Sequence, residues 1–272
     1  MSNHFNTQIG FGTAGLGDAL EPARWNRHLA AIRHAIDIGY KVIDTAEMYG
    51  DGKTETMIGQ AIRDSGKRDQ LHLVYKVLPK NALTVKDVIA SCERSIAKMK
   101  CDYIDTYLLH WREGNMPLEP AIEAMLELKE RGLIKSYGVS NFKNYSLGEW
   151  KMIEKKMGAT SSLATNQIRY SVLERELEKD VIPWLKENNV TIMAHSPLKN
   201  GHIFKDKLFI DIAQRYGYLP AQLAIAWTML NPLSISIPRS ADPDRIKKNF
   251  DAQKLTLNEE IVSELDKKFP LQ

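Results

Sequence analysis

The sequence contains little cysteine. Its 272 residues include only Cys92 and Cys101, which form neither a CxxC motif nor another metal-ligand spacing. Because intracellular chains rarely use disulfides, we interpret both as free thiols in a reducing compartment, and we predict no metal site. An apolar core must then stabilise the fold, and the hydrophobic share of 43% is ordinary for a globular protein.

The sequence also lacks long apolar runs and a strong charge of either sign. Its first residues, MSNHFNTQIG, have neither the basic nor the apolar region of a signal peptide. No apolar stretch approaches the roughly 20 residues of a membrane span. The net charge of +3 is small, and Lys and Arg are scattered. We therefore expect a cytoplasmic protein that binds neither nucleic acid nor membrane.

Short β-branched or aromatic runs alternate with amphipathic helical patterns along the whole chain. Alternating βα units of about thirty residues indicate a parallel sheet. Eight units in roughly 250 residues fit a single-domain (β/α)8 TIM barrel spanning residues 1–272. The predicted strands are residues 7–13, 40–46, 71–77, 103–110, 136–140, 163–167, 191–196 and 234–239.

The competing arrangement is an open, doubly wound α/β sheet. Such a sheet commonly carries a GxGxxG motif between its first strand and first helix. GFGTAGLG at residues 10–17 resembles that motif loosely, but it does not open directly into a helix. This pattern favours the closed barrel.

Titratable side chains stand at the ends of three consecutive predicted strands. Asp44 ends the second strand, with Tyr49 in the loop that follows, while Lys76 and His110 end the third and fourth. Each alone has a structural explanation, such as a turn cap, a packed ring, a buried ion pair or a core histidine. In a barrel these strand ends meet at the active-site face. Together the four groups are what general acid–base chemistry requires.

These residues lie within a longer series of motifs. DTAEMYG, the strand lysine, YIDTYLLHW, GVSNF, NQIRY and IPRSADPDRIKKN occur in one order between about residues 8 and 268. Together they resemble the aldo-keto reductases, and DTAEMYGDG followed by KVLPKNA is similar to a bacterial branch associated with methylglyoxal and keto-sugar reduction. The resemblance implies a barrel enzyme, monomeric, that reduces a small-molecule carbonyl with hydride from NADPH.

The resemblance also implies a role for each of the four titratable groups. Tyr49 is the acid–base residue, which donates a proton to the carbonyl oxygen in reduction. Lys76 is expected to lower the pKa of the Tyr49 phenol. Asp44 is expected to pair with Lys76 and hold it in place. His110 is expected to hydrogen-bond the substrate oxygen and orient the carbonyl.

The implied cofactor, NADPH or NADP+, would extend along the cleft. Arg239, Ser240 and Arg245 match the residues that hold the 2′-phosphate, since a guanidinium binds two phosphate oxygens. Asn249 matches the residue at the adenine, and Lys248 lies beside it. The carboxamide is assigned to Ser140, Asn141 and Gln167, and the other cofactor residues are Gly12, Thr13, Asp44, His195, Ser196 and Leu198.

One departure from the family pattern concerns the nicotinamide. His195 stands where the family usually has an aromatic residue, most often Tyr, that stacks on the ring. An imidazole stacks over less area, and it ordinarily titrates near neutral pH. We therefore predict a pH-dependent cofactor affinity, which His195→Tyr should flatten.

Other departures concern the substrate pocket. Ala14 follows GFGT where many members have Trp, so Met48 and Trp111 are the predicted apolar walls beside His110. The chain stops soon after its last predicted helix, without the long loop that covers the site in larger members. We expect an open, shallow site for small or polar carbonyls.

Three functions fit the sequence to different degrees. The first is reduction of small aldehydes and ketones, such as methylglyoxal, aromatic aldehydes or keto-sugars, with NADPH. The second is an NADPH-binding, redox-sensing or regulatory barrel with little turnover. The third, a barrel isomerase or hydrolase acting on a sugar phosphate, gives GVSNF and NQIRY no role.

Overall fold

The computed structural model describes residues 3–18, 21–159 and 162–271. Of the predicted domain, residues 1–2, 19–20, 160–161 and 272 lie outside this part. Eight parallel strands of the described chain pair in sequence order. They are β1 (Phe11–Gly12), β2 (Val42–Asp44), β3 (His72–Val77), β4 (Ile104–Leu109), β5 (Ile134–Ser140), β6 (Thr165–Arg169), β7 (Thr191–His195) and β8 (Ser234–Ser236).

The sheet curls until its last strand meets its first. Ile9 forms a parallel bridge with Ser236, and the Gly10 amide donates to the Ser236 carbonyl at 2.9 Å. The Gly12 amide continues the seam by donating to the carbonyl of Pro238 at 3.1 Å. These contacts close the sheet and confirm the predicted (β/α)8 barrel.

The strands at the seam are shorter than predicted. β8 ends at Ser236 rather than at residue 239, and β1 has two residues rather than seven. Pro238 has no amide proton, so a regular ladder cannot run through it. Hydrogen bonding across the seam therefore continues through single contacts beyond the strand ends.

Helices surround the barrel and follow the predicted apolar periodicity. In α3, Thr84 caps the N-terminus by accepting a hydrogen bond from the Asp87 amide, and Val88, Cys92 and Met99 are buried on one face. No helix in the described ranges combines the length and apolarity needed to cross a bilayer. The helices are α1 (Pro22–Asp37), α2 (Lys53–Ser65), α3 (Val85–Met99), α4 (Glu119–Glu130), α5 (Asn144–Lys156), α6 (Val181–Glu187), α7 (Lys207–Arg215), α8 (Pro220–Thr228), α9 (Pro243–Asp251) and α10 (Glu259–Lys268).

The N-terminal segment closes the bottom of the barrel, opposite the carboxyl ends of the strands. The His4 amide donates to the Thr191 hydroxyl at 2.8 Å, and the Asn3 side-chain amide donates to the Ser234 carbonyl at 3.0 Å. Phe5 is buried in the barrel interior. Its apolar cluster contains Val42, Val74, Leu108, Met193, Ile235 and Ile237.

Two histidines in this bottom layer have lowered pKa values. The ring of His72 lies 5.5 Å from that of His4, and its Nε2 is 2.7 Å from the Thr106 hydroxyl. Burial, with a smaller contribution from nearby cations, lowers the pKa of His72 to about 4 despite the opposing effect of Asp105. Burial likewise lowers the pKa of His4.

We expect the protein to become less stable as the pH falls from about 6.5 toward 4. In that window the unfolded chain binds protons on histidines, whose ordinary pKa is about 6.5, while the folded protein leaves His72 uncharged. Each such histidine contributes a slope of about 1.4 kcal/mol per pH unit to the free energy of unfolding. Urea unfolding at pH 7, 6 and 5 measures this slope.

A substitution isolates the contribution of His72. His72→Gln keeps a polar group near Thr106 but removes the titrating imidazole. The slope of the free energy of unfolding against pH should therefore fall by nearly 1.4 kcal/mol per pH unit, the contribution of about one proton. His202→Gln, which changes an exposed histidine, is the matched control and should leave the slope unchanged. An unaltered slope in the His72 variant would contradict the explanation.

Candidate active site

The four titratable groups predicted from the strand ends meet at one end of the barrel. Asp44 is the last residue of β2, Lys76 is the fifth residue of β3, and His110 directly follows β4. Tyr49 begins a 3₁₀ turn, Tyr49–Gly52, in the connection after β2. Parallel strands place their carboxyl ends on the same face, which explains the convergence.

A buried ion pair lies at the centre of this group. Lys76 is completely buried, and its Nζ donates to Asp44 Oδ1 at 2.5 Å. A second donor, Gln167 Nε2, reaches the same oxygen at 2.7 Å. The expected Lys76–Asp44 pair is therefore present. Burial alone would lower the pKa of Lys76, but Asp44 and Tyr49 outweigh it and raise that pKa.

Tyr49 lies between this pair and His110. Lys76 Nζ is 5.3 Å from the centre of the Tyr49 ring, and the His110 ring centre is 6.2 Å from it in an edge-to-face arrangement. The expectation of a lowered pKa for Tyr49 is wrong for this state. Lys76 does favour the phenolate, but burial and the charge of Asp44 favour the phenol more, and the pKa of Tyr49 is raised. Tyr49 is thus a protonated hydrogen-bond donor at neutral pH.

His110 is uncharged for a similar reason. Burial, Lys76 and His195 lower the pKa of His110 to about 3. Its Nδ1 is buried and has no hydrogen-bond partner among the described residues. An unpartnered buried N–H costs more than an unpartnered lone pair, because a donor loses its bond to water completely. This favours the tautomer with the proton on Nε2.

A residue that the sequence reasoning missed fixes the Tyr49 connection in place. Glu47 accepts hydrogen bonds from the Leu78 amide at 2.5 Å, from the Ser91 hydroxyl at 2.7 Å and from the Asn81 side-chain amide at 3.1 Å. Its own amide donates to the Lys76 carbonyl at 3.2 Å. Glu47 therefore ties the chain two residues before Tyr49 to β3 and to helix α3. The DTAEMYG motif contained this signal, since it places a carboxylate at the same strand end.

A cavity of about 1060 Å³ opens above these groups. Ligand pockets commonly measure roughly 300–1000 Å³, so this cleft can hold a long molecule. The predicted site residues along its wall are Gly12, Asp44, Tyr49, His110, Ser140, Asn141, Gln167, His195, Ser196, Leu198, Arg239, Ser240, Arg245, Lys248 and Asn249.

The remaining predicted residues lie away from the cavity wall. Lys76 is beneath it, and the buried Thr13 donates its hydroxyl to the Asp44 carbonyl at 2.8 Å. Met48 is 47% exposed, and Trp111 packs edge-on against His110 with ring centres 4.8 Å apart. The substrate-binding assignment of Met48 and Trp111 stays a prediction.

Amide and hydroxyl groups occupy the end of the cavity next to Tyr49. Asn141 has a left-handed backbone, with φ of 57°, which Asn adopts more readily than most residues. Its Nδ2 donates to the Ser140 hydroxyl at 3.0 Å, and its Oδ1 is 3.0 Å from His195 Nε2. Gln167 uses its Nε2 on Asp44, and no side chain or amide of the described residues donates to its oxygen, which can accept a hydrogen bond. This end can therefore bind an amide group through both its donor and its acceptor.

His195 does not titrate near neutral pH, contrary to the expectation from its residue type. Burial, followed by the charges of Lys76 and Arg169, lowers the pKa of His195 to about 4. Its Nδ1 is 3.0 Å from the Ser196 hydroxyl. The imidazole is thus neutral over the physiological range, held between two polar side chains.

Cationic side chains occupy the other end of the cavity. Arg239 follows β8, while Arg245 and Lys248 belong to α9, whose N-terminus is capped by Asp242. Within the described chain, no carboxylate lies within ion-pair distance of these three cations. Unpaired cations beside a helix N-terminus fit a phosphate-bearing ligand. The cavity thus has an amide-binding end and a phosphate-binding end, and this combination fits a nicotinamide dinucleotide.

Several residues of the cavity wall were not predicted. They come from α1, from the connection between β7 and α7, and from the start of α8, which carry no motif in the sequence. Their place on the wall follows from the packing of outer helices, which periodicity does not specify. They include Arg27, Asn200, Phe204, Leu219 and Gln222.

Comparisons with known proteins agree with this geometry. The model of the aldo/keto reductase family matches residues 8–269. The chain is 33% identical over 269 residues to methylglyoxal reductase YeaE of Escherichia coli (strain K12), covering 96% of this chain and 90% of that protein. It is 32% identical over 237 residues to methylglyoxal reductase DkgB of Escherichia coli O157:H7, covering 85% and 84%.

The fold is similar to solved structures of the same family. One is the crystal structure of an aldo/keto reductase from Klebsiella pneumoniae in complex with NADP and acetate. Its TM-score is 0.88, and the two chains are 35% identical, with 97% of this chain and 92% of that chain covered.

Proposed function

Because the chain belongs to the aldo/keto reductase family and is an NADP-dependent oxidoreductase, we propose that it reduces small aldehydes and ketones with Tyr49 as the general acid. The observation that carries the proposal is a protonated Tyr49 beside the buried Lys76–Asp44 pair, at the wall of the dinucleotide-sized cavity. Methylglyoxal, simple aromatic aldehydes and keto-sugars are the candidate substrates.

Reduction of a carbonyl requires one proton in addition to a hydride. When bound, NADPH supplies the hydride to the carbonyl carbon. Tyr49 donates the proton to the carbonyl oxygen, and its neutral phenol is ready to do so at physiological pH. His110 donates a hydrogen bond to the same oxygen through Nε2–H, which orients the carbonyl and polarises it.

Lys76 makes the proton transfer reversible. As the proton leaves Tyr49, a phenolate forms in a buried site, where an uncompensated charge is costly. The ammonium of Lys76 stabilises that phenolate, and Asp44 keeps Lys76 charged and in place. The phenolate then takes up a proton from solvent, and in the reverse direction it takes the proton from the alcohol.

The remaining wall residues are assigned to the cofactor. Ser140 and Asn141 would hold the nicotinamide carboxamide, with Gln167 accepting from its NH₂ group. Arg239 and Arg245 would bind the 2′-phosphate. Gly12, Asp44, His195, Ser196, Leu198, Ser240, Lys248 and Asn249 are the other wall residues of the proposed cofactor set, which also includes the buried Thr13.

The proposed substrate class rests on the relatives and on the shape of the site. Two relatives are named methylglyoxal reductases. Ala14 lies on the cavity wall and leaves room where many members carry a large ring. Small carbonyls fit an open site of this kind better than bulky apolar ones do, because they need less enclosing surface.

A direct assay tests the proposal. Purified protein is mixed with NADPH and methylglyoxal, benzaldehyde or a keto-sugar, and loss of NADPH absorbance is followed, with NADH in parallel. Turnover with NADPH that exceeds turnover with NADH supports the proposal. Tight NADPH binding without turnover of any small carbonyl would instead favour a redox-sensing or regulatory barrel.

Loss of the Glu47 carboxylate should slow turnover without weakening cofactor binding. Glu47→Ala removes the acceptor of three donors and frees the Tyr49 connection. A displacement of about 1 Å can cost up to about 100-fold in rate, so we expect a fall in kcat of that order. Glu47→Gln keeps one side-chain oxygen for the Leu78 amide and should recover part of kcat. Equal kcat in all three proteins would exclude a positioning role.

The lowered pKa of His195 changes the expected pH profile of cofactor binding. Because His195 is neutral above about pH 5, the ratio of NADP+ affinities of wild type and His195→Tyr should stay constant from pH 8 to 5.5. The comparison cancels titration of the cofactor phosphate itself, whose pKa is about 6. Titration calorimetry measures the ratio. A change centred near pH 6.5 would restore the original expectation.

A further inference from the structure

An additional arginine faces the phosphate end of the cavity from a different helix. Arg27 lies in α1 and contributes to the same cavity wall as Arg239 and Arg245. Helix α1 packs beside α9, and the Tyr40 hydroxyl just after α1 donates to the Ile246 carbonyl at 3.3 Å. The phosphate end is therefore bounded by α1 on one side and by α9 on the other.

Arg27 has no counter-ion within the described part of the chain. Arg33, on the same helix, does form an ion pair, with Asp64. Of the two acidic residues of the cavity wall, Asp44 pairs with Lys76, and Asp242 caps the Arg245 amide at 2.9 Å. Asp18 is the nearby carboxylate, since its Oδ2 would lie 3.6 Å from a Cβ on Gly15, but among the described residues it forms no ion pair with Arg27.

Arg27 and Arg239 are close enough to act on a common neighbour. His28 is buried beside them, and burial together with Arg24, Arg27 and Arg239 lowers its pKa against the opposing effect of Asp18. The Arg239 guanidinium approaches the loop before α1, where a Cβ on Gly15 would lie 3.4 Å from Nη2. The guanidinium groups of Arg27, in α1, and Arg239, after β8, thus approach one region from two elements. An anion bound there would reduce the repulsion between them.

We propose that Arg27 completes the site for the 2′-phosphate of NADPH and contributes to the preference for NADPH over NADH. The proposal rests on the proposed assignment of Arg239 and Arg245 to that phosphate. A terminal phosphate monoester carries close to two negative charges and three free oxygens, so it can engage several guanidinium groups at once. Each phosphate of the pyrophosphate offers one charge and lies nearer the nicotinamide end.

The experiment compares Arg27→Gln with Arg24→Gln. Arg24 lies one turn earlier on the same helix, is exposed and unpaired within the described chain, and does not contribute to the cavity wall. Its variant therefore controls for the loss of one positive charge near the cleft. Dissociation constants of NADP+ and NAD+ are measured for both variants and wild type by titration calorimetry at fixed salt.

We expect Arg27→Gln to weaken NADP+ binding roughly tenfold or more, the effect of losing one charge-assisted hydrogen bond, with NAD+ binding unchanged. Arg24→Gln should change neither constant by more than about twofold. Equal weakening of NADP+ by both variants would overturn the proposal, since only a diffuse charge effect would remain. Equal loss of NADP+ and NAD+ affinity in Arg27→Gln would also overturn it, because the contact would not be to the 2′-phosphate.

Failure of this proposal is distinguishable from failure of the proposed reductase function. The binding constants do not depend on turnover, so wild type that binds NADP+ but reduces no carbonyl would leave the Arg27 result interpretable. If wild type reduces carbonyls normally and Arg27→Gln binds NADP+ as tightly as wild type does, only the inference about Arg27 is overturned.

Discussion

Replacing Tyr49 by Phe is expected to lower kcat for carbonyl reduction by about 100-fold to 10 000-fold, the usual contribution of a positioned general acid. The substitution removes one hydroxyl and keeps the ring that packs 6.2 Å from His110. Lys76 keeps its hydrogen bond to Asp44, so the buried charge stays paired. The dissociation constant of NADP+ and the free energy of unfolding should therefore change little.

Stopped-flow or steady-state loss of NADPH absorbance measures the rate, and calorimetry measures NADP+ binding. His110→Gln is the informative companion, since an amide can still donate to the carbonyl oxygen but is held differently. It should lose less in kcat than Tyr49→Phe does. A Tyr49→Phe variant that keeps more than about a tenth of wild-type kcat would assign the proton donor elsewhere.

The convergence of Asp44, Lys76 and His110 could be predicted from sequence because it depends on two local regularities. Side chains alternate across a strand, and parallel strands in a barrel place their carboxyl ends on one face. Once the strands were placed, these side chains had to meet. The repeats alone fitted either a closed barrel or an open sheet, and eight units without a dinucleotide motif opening into the first helix favoured the barrel.

Other features depend on burial and on contacts between distant segments, which periodicity does not encode. The raised pKa of Tyr49 reflects the balance of burial, Lys76 and Asp44, and the sequence argument included only Lys76. The pKa of His195 falls for a similar reason. The hydrogen-bond partners of Glu47 could not be assigned, because Leu78, Asn81 and Ser91 come from a connection and a helix whose positions depend on packing. The place of Arg27 on the cavity wall likewise depends on how α1 packs.

Replacing Lys76 by Met should cost roughly 3–5 kcal/mol of stability, because removing one partner leaves the other charge buried and uncompensated. Asp44 would retain the Gln167 amide at 2.7 Å as a donor, which satisfies one lone pair but not the charge. Urea unfolding at pH 7 measures the loss.

The double variant Lys76→Met/Asp44→Asn separates the structural role of the pair from its chemical role. With both charges removed, no ion remains buried, so the double variant should be more stable than the sum of the two single losses predicts. Its kcat should stay as low as that of Lys76→Met, because nothing stabilises the phenolate of Tyr49. Additive losses of stability would mean that the two side chains act independently. Recovery of stability without recovery of rate would show that the fold tolerates an uncharged pair, and that a charged pair is needed here for proton transfer.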